Sequence, residues 1–183
     1  MRVYNTIRWK IALLFIPVAF FSLLFHEFGH WTVGEILGND MGITLNHAFP
    51  KSGQYIGSKD NLYMLCGGPC FTILLAIIFW GIIEKYKIIY AYPVVFFNFF
   101  LRLFGNIIKF EWQDEAKISA ILEIGRYTVA IIVLVPLLLI TWRASYVLKL
   151  NYKDNLVCTG ASLVAVFLMI LTEDLLQSFK VPE

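Results

Sequence analysis

Charge is scarce in this 183-residue chain: Asp, Glu, Lys and Arg make up only 15% of it, against roughly a quarter in soluble domains. With 59% hydrophobic residues and a mean hydropathy of +0.72, that shortage excludes an ordinary soluble core. Basic patches interleaved with aromatic residues are missing, and the net charge is only +2, so nucleic acid is not an expected partner. Cysteines number three, an odd count that makes no disulfide framework. Cys66 and Cys70, one helical turn apart, read as small packing residues. No internal repeat, low-complexity tract or Pro/Gly-rich linker divides the chain, so one domain over residues 1–183 is expected.

What is present is long apolar runs. Residues 11–25, 62–83, 127–142 and 155–172 contain no charged residue, and 88–108 is interrupted only by Arg102. A helix crosses a bilayer with about 20 mainly apolar residues, which these runs reach once a terminal turn is added. The expected fold is therefore an all-α membrane protein, integral and multi-pass, with about five transmembrane helices. Arg2, Arg8 and Lys10 before the first run resemble a signal peptide, but Phe20, Phe21, Leu24 and Phe25 leave no small-x-small cleavage site. That helix is expected to be a retained anchor. The longest polar interval, 38–60, contains Gly42, Pro50, Gly53 and Gly57 and short alternating stretches at 43–45 and 54–56. It reads as a short β-hairpin or extended loop at the membrane surface. A brief helix is expected near 115–125.

Counting crossings brings three distant regions to one membrane face: the end of the first helix, the start of the second and the segment after the third. Unusual polar residues sit in all three. His26-Glu27-Phe28-Gly29-His30 is an H-E-x-x-H pentad inside an apolar helix. Residues four apart on a helix point the same way, so the two imidazoles suit one metal ion, and zinc favours such ligands. Glu27 then stands beside the metal, placed to take a proton from a water the ion acidifies and return it to a leaving amine. Ionisable groups at membrane depth are costly and usually functional, so three in five residues point to a site. Catalytic zinc normally has a third protein ligand. Asp114, just after the third apolar run, is the first choice and the adjacent Glu115 its competitor. Glu35 lies too far round the first helix, and His47 reads as a solvated loop residue.

At these residues the chain resembles the site-2 protease family of intramembrane zinc metalloproteases, with H-E-x-x-H on one transmembrane helix and a metal-binding aspartate near the end of a later one. Residues 106–115, from Asn106 to Glu115, keep the eight-residue interval from asparagine to aspartate of the family motif N-x-x-P-x-x-x-L-D-G. Lys109, Gln113 and Glu115 replace its proline, leucine and glycine. The resemblance implies that Asp114 is the third ligand to one Zn2+ ion and that Asn106 holds substrate backbone. Gly67-Gly68-Pro69 is similar to the family's G-G-P, which implies a close backbone approach and a freed carbonyl beside the substrate. Core helices would span about 10–118, with additional helices at about 126–175. No PDZ-like domain is expected within this length, so selection falls to the helices, the 38–60 loop or an accessory membrane protein.

The function expected is that of a zinc metalloendopeptidase acting within or next to the lipid bilayer on a membrane-protein or signal-peptide-like substrate. An edge strand at 54–56 is expected to pair with the unwound substrate. A second enzyme reading is a membrane-embedded peptidase acting on soluble peptides. The alternative from a different class is a non-catalytic membrane protein that keeps the zinc site for structure or metal handling.

Overall fold

Five helical segments, 9–36, 60–86, 89–108, 128–147 and 152–172, are long and apolar enough to cross a membrane, the architecture of a multi-pass membrane protein. The computed structural model describes residues 6–178, so Arg2 lies outside them. The first crossing is α1 (Trp9–Leu13) followed directly by α2 (Phe15–Ile36). The break at Leu14 has a local cause. Pro17 has no N–H to give to the Leu13 carbonyl, and the Leu14 amide tightens onto Ile11 instead, at 3.1 Å. The remaining helices are α3 (Asp60–Tyr86), α4 (Tyr92–Ile108), α5 (Asp114–Ile121), α6 (Thr128–Val147) and α7 (Tyr152–Ser178). Single turns of 3-10 helix at Ile89–Ala91 and Phe110–Trp112 lead into α4 and α5.

After α2 comes an antiparallel hairpin of β1 (Met41–Ile43) and β2 (Ala48–Pro50), with Gly42 opposite Phe49. The expected hairpin is there, but its second strand is not 54–56. That stretch is bent coil, because Tyr55 packs into a small cluster with Met41, Ala48, Met64 and Trp31 instead of extending an edge. The expected helix near 115–125 is α5, which starts one residue earlier and stops at Ile121.

Among the spans α4 is the most buried and α7 the least. The main core gathers Phe15 and Ala19 of α2, Ile83 of α3, Tyr92, Val95 and Phe97 of α4, and Cys158 and Ala165 of α7. Two polar ties close its N-terminal end. The Ile7 amide donates to Asp154 Oδ1 at 2.8 Å, and the Tyr92 hydroxyl donates to Asn155 Oδ1 at 2.6 Å. Ile131, Leu138, Leu139, Leu163, Val164 and Phe167 point outward from α6 and α7, as a lipid-facing surface requires. Trp9, Trp142 and Tyr146 are exposed near span ends, the positions that amphipathic rings favour. The opposite end of the bundle, where α2, α3 and α5 meet, carries the site.

Candidate metal centre

His26, Glu27 and His30 are all buried on one turn of α2, a mainly apolar helix whose other charged residue is Glu35 near its end. The four-residue spacing stacks the imidazoles on one face, their rings at 89° and their Nε2 atoms 3.0 Å apart. The ligating atoms of His26, Glu27 and His30 all lie within 4.8 Å of one another, a group that could hold a metal ion.

What brings α3 against this turn is the absence of side chains. A Cβ on Gly29 would collide with the Gly67 carbonyl, and one on Gly67 with the Gly29 backbone. The two helices therefore cross in backbone contact, and Gly68 lies directly against both imidazoles. From this crossing α3 supplies the outer partners of both rings. His30 Nδ1 is 2.7 Å from the Met64 carbonyl, a contact that assigns the ring proton to Nδ1 and leaves the Nε2 lone pair free. The longer 3.3 Å approach of the Gly68 amide to the same nitrogen is secondary, because a protonated Nδ1 accepts nothing. His26 Nδ1 has two neighbours at 3.0 Å: Thr72 Oγ1 and Arg102 Nη2. With the proton on Nδ1, Thr72 accepts it, since its own hydroxyl donates to the Gly68 carbonyl at 3.1 Å. With the proton on Nε2, Arg102 donates to a bare Nδ1 and Nε2 donates to Asp114.

Asp114 arrives from the far side. The chain leaves α4 at Lys109, makes the turn Phe110–Trp112, and starts α5 at Asp114, whose side chain enters from the N-terminus of that helix. Its Oδ2 lies 2.9 Å from His26 Nε2 and 3.3 Å from His30 Nε2. Glu115 diverges from it, fully buried, with its Oε1 3.7 Å from Arg102 Nη1.

The donor set fits zinc. An ion with four tetrahedral ligands at about 2.0–2.1 Å has donor–donor edges of roughly 3.3 Å. The three atoms facing one another here are separated by 2.9, 3.0 and 3.3 Å. Two imidazoles and one carboxylate are also the donor types that catalytic zinc sites use.

Beside the donors is a cavity of about 300 Å³ walled by His26, Glu27, His30 and Asp114. Leu23, Leu65, Leu101 and Trp112 give it apolar sides, and Asn46, Gln113 and Lys117 polar ones. The hairpin turn closes one side through His47 and Ala48, whose backbone is hydrogen-bonded to the Glu27 carboxylate.

Of the residues singled out in the sequence, the structure thus brings His26, Glu27, His30 and Asp114 to one point. Gly68 backs the imidazoles, Gly67 makes the helix crossing, and Pro69 withholds an N–H from the Leu65 carbonyl one turn earlier. Asn106 is not among the residues lining the cavity. It lies one turn beyond Arg102 on α4, its Nδ2 donating to the Arg102 carbonyl at 2.8 Å while its buried Oδ1 has no hydrogen-bond partner among the described residues. Sequence reasoning missed Thr72 and Arg102 as parts of the site. Signals for both existed, because Thr72 follows Gly68 by one turn and Arg102 is the lone charge in its run. His47 is exposed, as expected of a loop residue, yet it stands in the cavity wall. No protein-family model, curated protein or solved structure matches the chain.

Proposed function

We propose that this chain is a zinc-dependent endopeptidase that hydrolyses peptide bonds within or next to the membrane, a compact and divergent relative of the site-2 proteases. One observation carries the reading: a carboxylate 88 residues away in sequence meets both histidines of an H-E-x-x-H turn within 3.3 Å, beside a cavity that Glu27 also lines. In this reading His26, His30 and Asp114 are the ligands and Glu27 is the base. Asp114 takes the ligand role over Glu27 because its Oδ2 already lies 2.9 and 3.3 Å from the two Nε2 atoms.

A zinc ion held there supplies Lewis acidity, polarising a carbonyl and acidifying water. Glu27 takes the proton from the attacking water and delivers it to the departing amine. The Ala48 amide, bonded to the Glu27 carboxylate, aims it, and Met64 and Thr72 fix the two imidazoles in the tautomer that leaves Nε2 unprotonated. The cavity's apolar walls suit a transmembrane or signal-peptide-like segment that has locally unwound. Its exposed backbone needs partners, for which the Leu65 carbonyl released by Pro69 is the candidate in the cavity wall.

A structural zinc site has no use for a buried base beside the metal, which is why the enzymatic reading is preferred. The test is metal analysis and peptide cleavage by the purified chain. About one zinc per chain is expected, with Glu27→Gln retaining it and losing cleavage of an apolar peptide. Zinc retained with no cleavage by the wild type moves the protein to the non-catalytic class. No zinc at all under folding conditions removes the metal centre altogether.

A further inference from the structure

We propose that the buried Arg102–Glu115 pair is the positioning pair of this centre, holding the start of α5 against α4 so that Asp114, and not Glu115, faces the histidines. The proposal rests on the metal-site reading above and concerns what sets the geometry of the third ligand.

Arg102 is the only charge in the apolar run that forms α4, and it is buried at 5% exposure; Glu115 is buried completely. An ionisable group at that depth calls for a partner and a purpose. The guanidinium has two carboxylates and one imidazole about it. Its Nη2 lies 3.0 Å from His26 Nδ1, and its Nη1 lies 3.8 Å from Asp114 Oδ2 and 3.7 Å from Glu115 Oε1. Adjacent residues on a helix point roughly 100° apart. The two carboxylates at the start of α5 therefore cannot both face the histidines: Asp114 does, while Glu115 turns away and lies against the guanidinium.

The pair is poorly built for stability alone. Arg102 Nε and both Glu115 oxygens have no hydrogen-bond partner among the described residues. Buried pairs with incomplete hydrogen bonding are often replaceable by apolar residues at no loss of stability. Placement is what such a replacement would remove. Losing the cation alone leaves Glu115 to bury an uncompensated charge or roll α5 toward water, and losing both members removes the contact that ties the start of α5 to α4; either change lets Asp114 Oδ2 move off the Nε2 atoms. With the pair intact, Glu115 is also kept from competing for the metal.

The experiment measures Co2+ and Zn2+ affinity by chelator competition, the visible spectrum of the Co2+ form, and the thermal midpoint, on the full chain in detergent. In the double variant Arg102→Met/Glu115→Leu the midpoint should stay at or above wild type. Metal affinity should fall by about 10–100-fold, the range for losing an outer partner of a ligand, with altered Co2+ bands. Glu115→Gln, which keeps the shape and removes the charge, should weaken and distort the same signals. Wild-type affinity and bands in either variant, when folded, would overturn the proposal. Loss of the fold in both would overturn it as well, since the pair would then be structural. A wild type that binds no metal sinks the metal-centre reading itself; a wild type that binds it normally while the variants do too sinks only the positioning role.

Discussion

Substituting Gly68 by alanine adds one methyl group at the most crowded point of the proposed centre. The new Cβ would lie 2.5 Å from His26 Nε2 and closer still to other atoms of both rings, where ordinary contact begins at 3.4 Å. One or both imidazoles must therefore retreat by roughly 1 Å, and misplacements of that size can cost about 100-fold in rate. The rings have little freedom to yield, because His30 Nδ1 is tied to Met64 at 2.7 Å and His26 Nδ1 to Thr72 at 3.0 Å. Replacing glycine by alanine in a helix gains up to about 1 kcal/mol from propensity, whereas overpacking costs about 1–3 kcal/mol. The net change in stability should be small and unfavourable, and the loss should fall mainly on metal binding and cleavage. Gly81 on the same helix is the control, since a Cβ there meets nothing within 4 Å. Zinc affinity by chelator competition and cleavage of an apolar peptide should drop at least about 10-fold in Gly68→Ala and stay at wild type in Gly81→Ala. Undiminished affinity and turnover in Gly68→Ala would refute the packing argument, because the rings would not be where the ligand geometry requires them.

Glu27→Gln should keep metal and lose about 10²–10⁴ in kcat, the range for a general base; a variant still turning over at wild-type rate would remove Glu27 from the chemistry. Asp114→Ala should weaken zinc binding by more than the roughly 10–100-fold typical of an outer partner, and unchanged zinc content would return the third-ligand role to another group. Thr72→Val is nearly isosteric but removes the acceptor of the His26 Nδ1 proton, so a metal affinity lower by about 10-fold with a normal melting curve is expected. Stripping the metal should lower the thermal midpoint: a ligand at 100 times its Kd stabilises the folded state by about 2.7 kcal/mol, and a midpoint indifferent to chelator and added zinc would mean that the site is vacant in solution.

The spans were legible because the bilayer imposes a length and an apolar composition that show directly in the runs. The pentad was legible because two histidines and a carboxylate are conspicuous in an apolar helix. Asp114 could be placed because counting crossings puts its segment at the same face as the pentad, but counting could not separate it from Glu115. That choice depends on which way α5 is rotated, and the rotation is set by Arg102, 12 residues earlier on another helix. The hairpin was legible as a region and not as a register. Its alternation at 54–56 gave a strand signal that tertiary packing overrides, since the apolar faces of Tyr55 and Met64 bury together. Thr72 and the Met64 carbonyl were invisible for a different reason: ring partners on α3 depend on how closely two backbones cross, and that distance follows from Gly29 and Gly67 acting together.

The same four-residue step recurs on all three helices that enclose the site. On α2 it runs Ser22, His26, His30; on α3 it runs Met64, Gly68, Thr72; on α4 it runs Asn98, Arg102, Asn106. Cross-helix contacts link the strips at matching levels. Asn98 donates to Ser22 Oγ at 3.1 Å, one turn deeper than the approach of Arg102 to His26 and of His26 to Thr72. A polar group in an apolar bundle is costly unless it finds a partner. Each strip can therefore face only the other two. Slipping α2 or α4 by a single residue would turn its strip by roughly 100° and part Asn98 from Ser22 and Arg102 from His26, and slipping α3 would take Thr72 from His26. The two histidines that bind in the proposed mechanism are thus among the residues that fix the register of the bundle, and substitutions such as Asn98→Leu should loosen metal binding through that register although Asn98 lies a full turn away from the ligands.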